Sequence, residues 1–238
     1  GPLDNFYGHS TSLLIAGDLL LVQLDQADAD AKISVLLGLD LATGRTIYRR
    51  ERPVGASWAS PILVETPTGR QLITAAKPWV IAYDPATGNE IWRGGDIGED
   101  LAPSPAYSDG MVFMASPNTH VLAIATGSKG DVTASHIRWK VEEDIPDIGS
   151  PVAGRGLLWL PAGELCCYRA ADGKKLWSQD LKSAFSASPA LAGDKLYLID
   201  HQGAVFILSA GEKYEELGRA SVGEEVMASP AFAPGRMY

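Results

Sequence analysis

The chain is 238 residues long, 46% hydrophobic and 21% charged, with a formal net charge of −9. Such an acidic balance argues against a nucleic-acid backbone or an anionic lipid surface as partner. No apolar run approaches the ~18–20 residues that span a bilayer, and the opening GPLDNFYGHS has neither the basic region nor the apolar stretch of a signal peptide.

In chain order, the first predicted elements are the strands in DLLLVQL and VLLGLD, separated by DQADADAK (Asp25 to Lys32). That stretch lacks the glycine and the regular spacing of a calcium loop and reads as a solvated acidic hairpin tip. DLATGRTIY follows from Asp40, and its counterpart DPATGNEIW starts at Asp84. In the second, Asp84 can accept backbone N–H groups, Pro85 presets φ for a type I turn, and Gly88 supplies the left-handed position leading back into a strand. MVFMAS predicts a strand of the third unit, whose hairpin is lengthened in IATGSKGDVTASHIRW by an eight-residue insertion between Gly127 and Trp139. GLLWLPA, GELCCYRAADGKKLW and SPALAGDKLYLID continue the series. Gly, Pro, Asp and Asn bound short apolar or alternating runs throughout, the pattern of strands, and no capped amphipathic helix is evident.

These stretches repeat. Ser-Pro stands at Ser60, Ser104, Ser150, Ser188 and Ser229, with Ser12 followed by Leu13 as a variant, at intervals of 48, 44, 46, 38 and 41 residues. A unit of about 43 residues suits a four-stranded propeller blade. An aromatic lies four residues after the turn glycine: Tyr48 after Gly44, Trp92 after Gly88, Trp177 after Gly173. That register sets a flat side chain between neighbouring blades, where it can bury about 150–250 Å². In the fifth unit, LSAGEKYEELGR, Leu217 stands near the aromatic position. The expected fold is all-β, a single β-propeller domain of four-stranded antiparallel blades over residues 1–238. Its repeats run 12–59, 60–103, 104–149, 150–187 and 188–228, with a partial sixth at 229–238.

The pattern S-P-x-x-x-x-G-D-x-[LV]-Y … L-[DR]-x-x-[TD]-G-x-x-[LI]-W resembles the repeat of the quinoprotein (PQQ-like) β-propeller family from about Ser12 to Tyr238. That family includes PQQ-dependent alcohol dehydrogenases, the propeller lipoprotein of the outer-membrane β-barrel assembly machine, and bacterial extracytoplasmic PQQ-binding-like propellers, which the chain resembles most. Seven or eight blades are usual there, so the chain is expected to be a fragment of such a ring, with a compact five- or six-bladed ring as the alternative. Residues 1–11 could lend one outer strand to the last blade. The resemblance implies a bacterial, periplasmic or otherwise extracytoplasmic location.

Two functions follow. The first is a non-catalytic scaffold for a protein or peptide partner on a propeller face or sheet edge, with no cofactor. The second is a quinoprotein oxidoreductase, or a degenerate relative binding a quinone or sugar in the central funnel, which would call on PQQ and calcium. The adjacent Cys166 and Cys167 match, by resemblance, a vicinal disulfide near the quinone. On a strand, however, they point to opposite faces and read as small buried fillers. No calcium set or catalytic Asp maps onto this sequence. GHSTS is not a nucleophile elbow, and His120, His136 and His201 read as isolated loop-tip residues. The positions two to four before each repeat serine enter the innermost strand near the axis: His9, Trp58, Asp100, Asp147, Phe185 and Glu225. They change while the frame repeats, which makes them candidates for binding at the funnel mouth.

Overall fold

The computed structural model describes residues 4–238. Five antiparallel sheets follow one another along the chain, each with its strands a to d in sequence order. Blade 1 comprises Leu14–Ala16, Leu19–Leu24, Val35–Asp40 and Thr46–Glu51. Blade 2 comprises Ile62–Thr66, Gly69–Ala76, Trp79–Tyr83 and Glu90–Gly95. Blade 3 comprises Ala106–Ser108, Met111–Ser116, His120–Ala125 and Ile137–Val141. Blade 4 comprises Val152–Gly154, Leu157–Ala162, Glu164–Arg169 and Lys175–Gln179. Blade 5 comprises Ala190–Ala192, Lys195–Ile199, Ala204–Ser209 and Glu216–Ser221. A two-stranded hairpin, Phe232–Ala233 with Arg236–Met237, comes last. The expected all-β fold of four-stranded blades is what the chain adopts. Among the described residues no helix is long and apolar enough to cross a membrane.

The Ser-Pro repeat has a direct physical cause. Each repeat serine donates its backbone N–H to the hydroxyl of the next: Ser12 to Ser60, Ser60 to Ser104 and Ser104 to Ser150 at 2.9 Å, then Ser150 to Ser188 and Ser188 to Ser229 at 2.8 Å. This ladder joins the blades side by side at their inner strands. The prolines that follow, Pro61, Pro105, Pro151, Pro189 and Pro230, are buried. A proline there brings no N–H that burial would leave unsatisfied.

The core is four slabs between blades, not one mass. Period-2 alternation sends neighbouring residues of one strand into different slabs. Leu72 packs with Leu21, Leu36 and Tyr48 between blades 1 and 2, whereas Ile73 packs with Val112, Met114 and Ile124 between blades 2 and 3. Phe113 and Leu158 belong to the slab between blades 3 and 4, and Trp159 and Phe206 to that between blades 4 and 5.

The outer-strand aromatics clamp these slabs. Tyr48 donates its hydroxyl to the Pro85 carbonyl at 2.9 Å, Trp139 its indole N–H to Ala170 at 2.9 Å, and Trp177 to Gly211 at 3.3 Å. In each case the acceptor lies in the next blade's c–d turn. Trp92 differs: it donates to Gln71 of its own blade at 3.0 Å, because the blade 3 turn is where the insertion sits. That insertion does more than lengthen a hairpin. Gly130–Asp131 forms a fifth strand, parallel to Trp92 and Arg93 on the edge of blade 2, and Thr133–His136 forms a short helix.

The structure corrects three expectations. The residue in register with the aromatics in blade 5 is Gly218, opposite Ile207, not Leu217, which is exposed. Residues 4–12 form no strand of a last blade; they bond to loops of blades 1 and 2. His120 is not at a loop tip. It opens a strand and is buried, with Nε2 unpartnered among the described residues.

Burial, and then the nearby Lys140 ammonium, hold the His120 pKa below its ordinary value of 6.5. The unfolded chain therefore takes up this proton first. The stability His120 contributes is present above about pH 6.5 and lost as the pH falls below it. Urea midpoints at pH 7.5 and 5.5 should fall further for the native protein than for His120→Gln; equal falls would contradict this.

Candidate functional site

In an up-and-down blade the b–c and d–a connections emerge at one end and the a–b and c–d turns at the other. At the b–c/d–a end, the connections of blades 1 and 2 enclose a cleft of about 480 Å³. Ala27 to Asp30 come from the b–c loop of blade 1, and Gly55, Ala56 and Trp58 from the crossing to blade 2. Lys77 and Pro78 come from the b–c turn of blade 2, and Glu99 and Asp100 from the crossing to blade 3. Backbone bonds tie these loops together: Ala56 N–H to Ala27 O at 2.7 Å, Gly55 N–H to Lys77 O at 3.0 Å, and Trp58 N–H to Leu101 O at 2.9 Å. Ala27 and Asp100 hold left-handed backbones, φ 49° and 53°, the kind of local strain that surroundings must maintain.

Trp58 is the aromatic wall. Its indole N–H is committed to the Gly8 carbonyl at 3.1 Å, and the Ser10 hydroxyl donates to the Trp58 carbonyl at 3.3 Å. The Tyr7 ring stands edge-on to Trp58 with centroids 5.2 Å apart, and Phe6 edge-on to Tyr7 at 4.8 Å. Phe6 is 90% exposed and Tyr7 73%. Large exposed aromatics beside a concavity are a typical binding signature.

The charges are unbalanced. Lys77 pairs with Glu99. Asp28, Asp30 and Asp100 are exposed and form no ion pair among the described residues. Asp25, expected in the same solvated tip, is instead fully buried. It continues the inward face of Leu21 and Gln23 and meets Arg52 in a bidentate pair, Nε to Oδ1 at 2.6 Å and Nη2 to Oδ2 at 3.0 Å. The Gln23 amide donates to Asp25 at 2.7 Å, and Arg52 donates to Thr74 at 2.7 Å and Tyr83 at 3.1 Å. Burial disfavours the guanidinium charge, but the Asp25 carboxylate more than offsets it, so the Arg52 pKa is raised. Asp25 opens the b–c loop and Arg52 opens the d–a crossing, so this pair pins two walls of the cleft at their roots.

Of the six funnel-mouth candidates, Trp58 and Asp100 share the cleft. His9 stands between Gly8 and Ser10, both of which bond Trp58, and both its ring nitrogens are buried and unpartnered among the described residues. Phe185 packs on Phe206, centroids 5.7 Å apart, as filling between blades 4 and 5. Asp147 and Glu225 are exposed in later crossings and do not line the cleft. Tyr7, Asp28, Asp30 and Lys77 were not singled out from sequence; Asp28 and Asp30 were visible as an acidic run, but nothing local showed what they border.

Cys166 and Cys167 are free thiols buried in different slabs, Cys166 between blades 3 and 4 and Cys167 between blades 4 and 5. Burial pushes each thiol's pKa up to about 12, so neither is a thiolate near neutrality. Among the described residues no group of three His, Cys, Asp or Glu side chains is arranged to hold a metal ion.

Fold and repeat together define a β-propeller of PQQ-like repeats. The family model described as outer membrane protein assembly factor BamB matches residues 31–143 and 129–213, and the chain belongs to that family. Among solved structures it is similar to BamB from Moraxella catarrhalis, with a TM-score of 0.69, 17% identity, and 95% of this chain and 65% of that one covered. It is also similar to a europium-containing methanol dehydrogenase, with TM-score 0.63, 11% identity, and 90% and 51% covered. A third likeness is to the computationally designed Ika8 protein, with TM-score 0.66, 14% identity, and 94% and 65% covered. The chain therefore spans about half to two thirds of the lengths of these structures. No curated protein matches its sequence.

Proposed function

We propose that the chain is a non-catalytic PQQ-like propeller that acts as a protein-interaction scaffold in the bacterial cell envelope, with its partner seated on the Trp58 cleft. One observation carries the reading: the exposed Phe6 and Tyr7 rings pack edge-on beside Trp58, which walls a concavity whose loops are cross-bonded. Rigid loops on a repeat frame are a common platform for recognition. The BamB family supports both the scaffold role and the extracytoplasmic location, since the name describes an outer-membrane assembly factor.

Site-specific photo-crosslinking tests it. A crosslinker placed at Ala29 should capture one discrete partner from envelope extract, whereas one at Ala86, in a c–d turn at the opposite end, should not. Trp58→Ala should reduce capture at least fivefold while leaving the melting temperature within a few degrees. Equal capture from both ends, or capture indifferent to Trp58, refutes the assignment. Quinone absorbance and dye reduction after addition of PQQ and Ca²⁺ would refute the non-catalytic part.

A further inference from the structure

We infer that the Trp58 cleft takes the cationic side chains of a basic, extended segment of the partner. This rests on the scaffold reading and names the chemistry of what that scaffold holds.

The inference comes from the hydrogen-bonding inventory of the walls. Asp28, Asp30, Glu99 and Asp100 are acceptors. The Trp58 indole N–H is taken by Gly8, and the Lys77 charge is balanced by Glu99. Ala27, Ala29, Gly55, Ala56 and Pro78 bring no side-chain polar group, and the backbone N–H groups of Ala27, Gly55 and Ala56 are already bonded across the loops. The side chains that line the cleft therefore favour a ligand rich in donors and poor in acceptors. Lysine ammonium and arginine guanidinium meet that description: they donate only. A sugar hydroxyl carries two acceptor lone pairs for each donor, and an anionic ligand would meet three unpaired carboxylates. Trp58 completes the fit, because a cation over an indole face gains a further contribution. The aliphatic stems of Lys and Arg can lie along Pro78 and the alanines. An extended backbone suits a shallow cleft walled by four connections, since alternate side chains of a strand-like peptide enter on one side.

The test is fluorescence anisotropy of a labelled, acetylated and amidated hexa-arginine peptide on the whole chain. The charge of −9 will attract any polycation, so location must be separated from net charge. One triple variant, Asp28→Asn/Asp30→Asn/Asp100→Asn, removes the cleft carboxylates. The other, Asp18→Asn/Asp109→Asn/Asp194→Asn, removes three exposed carboxylates from a–b turns at the opposite end. The first should weaken binding at least tenfold and the second less than twofold. Trp58→Ala should weaken it about fivefold. Equal effects of the two triples overturn the inference, as does binding of a neutral hexasaccharide at the cleft in preference to the peptide. If crosslinking from Ala29 still captures a Trp58-dependent partner while the cleft triple leaves capture unchanged, the scaffold stands and the basic-segment inference falls. If the peptide behaves as stated and no partner is captured, the scaffold reading falls instead.

Discussion

Replacing Arg52 by methionine should destabilise the protein by about 3–5 kcal/mol, read from urea denaturation at pH 7. Arg52 and Asp25 are both 0% exposed, and the guanidinium satisfies both carboxylate oxygens while also donating to Thr74 and Tyr83. Removing the cation leaves a carboxylate shielded from solvent with a single side-chain donor, Gln23. The loss measures a stranded charge, not the net worth of the pair. The paired replacement Asp25→Leu/Arg52→Met should therefore recover most of the loss, because two desolvated charges leave together. A single substitution costing under about 1 kcal/mol, or a double worse than the sum of the singles, would contradict the network. The consequence reaches the site: hydrogen exchange at Ala27 and Ala56, whose N–H groups tie the loops, should quicken in Arg52→Met more than exchange in blade 4.

What the sequence made legible is what repeats, because a repeated contact writes a repeated letter. Ser-Pro recurs because each interior repeat serine, Ser60 to Ser188, is both donor and acceptor in one ladder that runs from Ser12 to Ser229. The aromatic four residues past a turn glycine recurs because a turn carbonyl of the next blade awaits Tyr48 and Trp177, while Trp92, beside the insertion, keeps the same position with a partner in its own blade. Contacts made once leave no such trace. Asp25 and Arg52 lie 27 positions apart, and the acidic company of Asp28 and Asp30 made Asp25 look solvated. Alternation with Leu21 and Gln23 was the available signal of its burial. Gly218 was hidden by a one-residue ambiguity in a degenerate turn, and the strand at Gly130–Asp131 by its partner being an edge in another blade. For the site, reading back from each serine found Trp58 and Asp100. It could not show that these two share one cleft with the b–c loop of blade 1 and the b–c turn of blade 2, since that depends on bonds between loops far apart in the chain.

The turn glycines allow the clamp to be weighed against backbone strain, since three of them share one conformation and differ in what they face. Gly44, Gly88 and Gly173 have φ of +72°, +68° and +69°. A Cβ at Gly44 would meet nothing within 4 Å, whereas at Gly88 it would lie 2.4 Å from the Tyr48 ring and at Gly173 2.7 Å from the Trp139 indole. Gly44→Ala should therefore cost about 1–2 kcal/mol, the left-handed penalty of an L-residue. Gly88→Ala and Gly173→Ala should each cost about 2–5 kcal/mol, because overpacking adds to the same penalty. Trp139 cannot swing clear without giving up its 2.9 Å bond to Ala170. Trimming the aromatic removes the collision, so Gly173→Ala should cost about 1 kcal/mol or more less in a Trp139→Leu background than in the native one. Denaturation midpoints of the five variants decide the matter. If all three glycines cost the same, the aromatic does not seat on the turn, and the blades owe their spacing to the serine ladder alone.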